Sequence, residues 1–128
     1  MKLETQVTNK ELSQKMKELG VEQKSLWWWE RITSEAFMNG SQRYILTRTS
    51  KRTREGCSAF TVAELGEMLP ERIDTFYNLT ITKSNKEWFV SYEDNEGFRK
   101  QHEYADTLAN TLAKMRIYLI ENKLMEAK

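Results

Sequence analysis

Cysteine, histidine and proline each occur once in this 128-residue chain, as Cys57, His102 and Pro70, and glycine occurs five times. A single cysteine forbids an internal disulfide and any thiolate zinc cluster built within one chain. A single histidine forbids a two-histidine metal motif and leaves imidazole chemistry one candidate. So few glycines and prolines leave little material for long irregular loops, so regular elements should dominate. An excess of charge of one sign is also missing. Lys and Arg number 20 against 19 Asp and Glu, a formal charge of +1, which excludes a globally basic coat for nucleic acid but not a local patch. No long apolar run occurs and residues 1–10 are polar. Neither a signal peptide nor a membrane span is therefore expected, and the expected location is cytoplasmic.

What is present is enough to fold. The chain is 39% hydrophobic and carries 4 Trp, 5 Tyr and 5 Phe, which argues against disorder, and its 15.2 kDa supports one core rather than two. Thr8 and Glu11 have capping-box spacing, and Leu12, Met16 and Leu19 then recur as one helical face, predicting a helix from about Asn9 to Leu19 that ends at Gly20. A second helical stretch is expected from Glu22 or Gln23 into Leu26, Trp27, Trp28 and Trp29, making an N-terminal helix pair. Asn39-Gly40 between Ala36-Phe37-Met38 and Tyr44-Ile45-Leu46 predicts a β-hairpin. From Thr47 to Gly56 the chain is polar and cationic, which reads as a mobile basic loop.

Thr61 and Glu64 repeat the capping-box spacing, and Val62, Leu65 and Leu69 form one face of a short helix that stops near Pro70. Tyr77, Leu79 and Ile81 then alternate with Asn78, Thr80 and Thr82, Trp88, Val90 and Tyr92 alternate with Phe89 and Ser91, and Phe98 to His102 adds a third strand to an antiparallel meander. Leu108, Leu112, Met115 and Leu119, flanked by Ala105, Ala109 and Ala113, predict a long amphipathic helix from about Tyr104 to Asn122 across the sheet. With no repeat and no linker, residues 1–128 read as a single α+β domain.

The stretches ELSQKMKELGVEQKSLWWW (11–29), CSAFTVAELGEMLPERI (57–73) and LANTLAKMRIYLIENKL (108–124) together resemble a family of small uncharacterised proteins encoded by bacteriophages, prophages and other mobile elements of gut bacteria. The resemblance is one of pattern and order and covers somewhat under half the chain. It implies a genomic context, a phage or integrated element. The family has no assigned activity, so it supplies no functional residues.

Chemistry has few candidates. Cys57 with His102 is the only thiol and imidazole pair available, and a small buried thiol is more often packing than nucleophile. His102, Glu103 and Asp106 echo a metal helix, but Asp106 stands where the second histidine belongs, and these charges more simply cap the long helix. The N-terminal helices and Gly20 invite comparison with a helix-turn-helix, yet Met16 is bulky at the crossing position and the second helix would present three tryptophans.

Trp27, Trp28 and Trp29 cannot all face one core, because helical neighbours diverge by about 100° and strand neighbours alternate. At least one indole is therefore expected at a surface or interface, where tryptophan is an efficient anchor, unless the third folds under the basic loop. Arg43, Arg48, Lys51, Arg52 and Arg54 offer a phosphate contact, with Tyr44 as one stacking surface.

The expected function is thus a non-enzymatic phage or prophage accessory protein that binds a protein partner or a second copy of itself through Trp27, Trp28 and Trp29. No cofactor, no metal, no membrane and no small-molecule substrate are expected. The alternative is a small nucleic-acid-binding or regulatory protein using the N-terminal helices or the residues from Arg43 to Arg54.

Overall fold

The computed structural model describes residues 2–32, 43–48 and 56–127. After a short 3-10 turn at Leu3–Thr5, helix α1 spans Lys10–Glu18. Its N-cap is Asn9, whose side chain accepts from the Leu12 amide at 2.8 Å, not Thr8 as the Thr8–Glu11 spacing suggests. Thr8 is committed elsewhere. It is buried, its hydroxyl pairs with Ser13 Oγ at 2.6 Å and accepts from the Phe60 amide at 3.0 Å, so it stitches the N-terminal segment to the middle of the chain. The other end of α1 is a Schellman closure: Gly20 has φ +91°, and the amides of Gly20 and Val21 donate to Lys17 and Met16 carbonyls at 3.0 Å each.

The second helix of the expected pair does not form. Residues 21–25 have no regular structure, and strand β1 takes up Trp27–Ile32. Indoles favour the pleated surface of a sheet, and a strand lets three in succession divide between two faces. Strand β2, Arg43–Arg48, pairs antiparallel with β1 from Trp27↔Arg48 to Ile32↔Arg43, and β3, Cys57–Ala59, pairs with the other edge of β1. Tyr44-Ile45-Leu46 pairs with Trp29-Glu30-Arg31. Thr47 and Arg48 belong to this strand and not to the loop. Ala36–Met38, Asn39-Gly40 and the rest of the basic segment before Gly56 lie outside the described residues.

Helix α2, Val62–Met68, has the full Thr61–Glu64 capping box and ends before Pro70, as its sequence predicts. A second sheet then forms in the order β4-β5-β6-β7, from Arg72–Ile73, Tyr77–Ser84, Glu87–Glu93 and Arg99–Ala105. The architecture is mixed α+β with two antiparallel sheets rather than one meander. The last three strands are the alternating runs of the sequence, while β4 is only two residues long.

Helix α3, Leu108–Glu121, begins about four residues later than expected, at an N-cap by Thr107 whose hydroxyl accepts from the Asn110 amide at 3.2 Å. The intervening residues pair with β6, from Ser91↔His102 to Trp88↔Ala105, so His102 and Glu103 cap no helix. Helix α3 is the centre of the core. It packs on β6 and β7 and against α1 and α2, burying Ala109, Leu112, Ala113, Met115 and Leu119 with Val90, Tyr92, Phe60, Leu65 and Met16.

Candidate functional site

The alternation of β1 sorts its three tryptophans. Trp27 and Trp29, cross-strand to Ala59 and Cys57, share the face towards α1, while Trp28 points to the opposite face with Ser58 and Thr47. Trp28 is 3% exposed, and Gly56 lies directly against its indole. Trp29 is half-buried and fixed by its indole N–H, which donates to the Thr8 carbonyl at 2.8 Å. Trp27 is half-buried and lines a groove.

That groove, about 490 Å³ in volume, lies where the two sheets and two helix starts meet. Trp27 comes from β1 and Trp88 from the start of β6; Leu3, Val62 and Leu108 supply aliphatic wall, and Thr61, Thr107 and Asp106 supply polar edge. Trp88 is also half-buried, and the Lys83 ammonium lies 5.0 Å from the centre of its ring, a cation–π contact across the β5–β6 pair. The space is in the range that admits one or two side chains of a partner or a small apolar molecule. Sequence reasoning missed Trp88, Leu3 and Leu108. The only local signal was Trp88 itself, a large aromatic at the first turns of a strand next to charged Lys86 and Glu87.

Among the other candidates, Cys57 is fully buried in the first sheet, whereas His102 is exposed on β7 of the second. The two are not brought together. Burial raises the Cys57 thiol to about 11 despite the opposing pull of Lys17 and Lys10, which favours the protonated thiol over the nucleophilic thiolate near neutral pH. His102 and Glu103 are consecutive on a strand and point to opposite faces, which separates them as ligands. Among the described residues, no cluster of three or more His, Cys, Asp or Glu side chains could hold a metal ion, and no helix is long and apolar enough to cross a membrane. Of the cationic candidates, Arg48 is exposed at the end of β2, and Arg43 pairs through its backbone with Ile32. Lys51, Arg52 and Arg54 lie outside the described residues.

No protein-family model matches the chain, and neither a curated protein nor a solved structure is detectably similar to it.

Proposed function

We propose that the protein is a non-enzymatic accessory protein that acts by binding another protein, and that the groove between Trp27 and Trp88 receives an apolar side chain of that partner. The observation that carries this reading is the convergence of two half-buried indoles, from different sheets, on one mostly apolar groove. Neither indole is needed at that surface for strand pairing, which uses the backbone. Burying one apolar side chain in such a groove contributes about 1.5–3 kcal/mol, and tryptophans at the centre of an interface are its most frequent energetic anchors. The burial of the Cys57 thiol and its separation from His102 support the non-enzymatic part. The resemblance to phage and prophage proteins supports an accessory role in such an element.

Of the three adjacent tryptophans, the geometry favours Trp27 as the contact residue, with Trp28 serving the fold and Trp29 tying β1 to the N-terminal segment. The test is capture from cells expressing the tagged protein, with Trp27→Ser and Trp88→Ser beside the unmodified chain. Loss of the same captured protein with both variants, while each still unfolds cooperatively with only a small drop in melting temperature, is expected. Capture that both variants retain removes the groove from the reading. Light scattering on the purified chain separates a second copy from a different partner.

A further inference from the structure

Arg116 lies on α3 and is 4% exposed, yet no ion pair of Arg116 is present among the described residues. A guanidinium has five N–H donors, and among the described residues it makes two hydrogen bonds: Nη1 donates to the Met68 carbonyl at 3.2 Å and Nη2 to the Ala127 carbonyl at 2.8 Å. Nε is buried with no partner. Met68 is the last residue of α2, so its carbonyl carries the negative end of a short helix, and Ala127 contributes one peptide dipole. Two dipoles compensate a buried charge only in part, because a desolvated cation is costly unless an anion and further hydrogen bonds meet it.

Beside this side chain is a cleft of about 340 Å³, separate from the tryptophan groove, lined by Val21, Met68, Met125 and Ala127 as well as Arg116, Glu22 and Lys24. The charges at its rim answer each other: Glu22 and Lys24 pair at 2.7 Å, and both are exposed. Glu22 is thus engaged away from Arg116, and the wall between rim and guanidinium is apolar. We propose that this cleft binds a small aliphatic carboxylate, its anionic end taken by the Arg116 guanidinium and its hydrocarbon stem lying against Val21, Met68 and Met125. The fork of N–H donors suits a planar carboxylate, and methionines adapt their shape to an apolar stem. Spherical or fully hydrated anions lack the stem that the walls would contact.

The experiment titrates the unmodified protein with hexanoate, with hexan-1-ol as the neutral isostere and with inorganic phosphate, following the Met68 and Met125 methyl resonances by NMR. Hexanoate is expected to shift both methyls saturably, with hexan-1-ol and phosphate each about thirtyfold or more weaker. Arg116→Met is expected to abolish the preference for hexanoate over hexan-1-ol. Equal binding of acid and alcohol, no shift with hexanoate, phosphate binding as tightly as hexanoate, or a folded Arg116→Met protein that keeps the preference would each overturn the proposal. Should Arg116→Met fail to fold, the comparison of ligands on the unmodified protein decides alone.

Discussion

Gly56 lies so close to Trp28 that a Cβ on residue 56 would overlap the indole Nε1, with the Trp29 carbonyl also in the way. Neither obstacle can yield cheaply: one is a buried ring and the other is backbone in a strand. Gly56→Ala should therefore destabilise the fold by about 1–3 kcal/mol through overpacking. Gly20 is the opposite case. A Cβ there meets only Ala127 Cβ at an ordinary 3.7 Å, but φ is +91°, so Gly20→Ala should cost about 1–2 kcal/mol through backbone strain alone. Chemical denaturation of both variants checks the pair, and the two causes separate in a second step. Trp28→Phe in the Gly56→Ala background should recover part of the loss, whereas it should recover none in the Gly20→Ala background.

The three tryptophans should differ sharply when truncated. Trp28→Ala removes a fully enclosed indole and should cost about 3–5 kcal/mol. Trp29→Ala removes a half-buried ring and its bond to the Thr8 carbonyl, and falls between. Trp27→Ala should cost about 1 kcal/mol, because its outer surface faces the groove. Urea midpoints on the three variants measure this order. Similar large losses for all three would assign Trp27 to the core and take away the anchor proposed for partner binding.

How much of this was legible beforehand depends on how far apart the cooperating residues lie. Thr61 with Glu64, and Leu112 with Met115 and Leu119, speak through neighbours within one or two turns, and the elements they predict are present. The residues Trp27-Trp28-Trp29 do not, because three consecutive indoles carry neither a helical nor a strand period of their own. The choice is made by Arg43–Arg48 and Cys57–Ala59, which pair with them. Strand β4 has only Arg72 and Ile73 and no periodicity of its own. Thr8 matched a cap by spacing, but Phe60, 52 residues away, claims its hydroxyl. The groove is the extreme case, since Leu3, Trp27, Val62, Trp88 and Leu108 come from five separate parts of the chain.

The reassignment of the α1 cap has its own measurable consequence. Asn9→Ala removes the acceptor for the Leu12 amide and should cost about 1 kcal/mol. Its backbone amide, which donates to Asn110 Oδ1 at 2.8 Å, is untouched. Thr8→Val is nearly isosteric but strands the buried Phe60 amide and leaves the Ser13 hydroxyl only its longer bond to the Thr8 carbonyl, at 3.4 Å. It should cost more, about 2–3 kcal/mol for one unsatisfied buried amide and one weakened hydroxyl contact. Circular dichroism melts of the two variants give the order, and a larger loss for Asn9→Ala would return the weight to the helix cap.

Alkaline pH should weaken the fold, and the sign follows from two buried acids. Burial raises the Cys57 thiol from 9.0 to about 11, and burial also raises the Tyr92 hydroxyl above its usual 10.0. Each group holds its proton more tightly when folded than when unfolded, so each contributes stability below its unfolded value and loses it as pH rises through the folded value. Stability should accordingly be flat near neutrality and decline from about pH 9 upward as the unfolded state begins to release protons. Tyr92 also donates to the Pro70 carbonyl at 2.7 Å, a bond that phenolate cannot make. Tyr92→Phe should lower stability at pH 7 by about 1 kcal/mol and flatten the decline above pH 10. In the native protein the Cys57 thiol should react with a disulfide reagent only at the rate of unfolding, with pseudo-first-order rates independent of reagent concentration at saturation. Rapid labelling of the native state at pH 8 would show instead that Cys57 is reached without opening the first sheet.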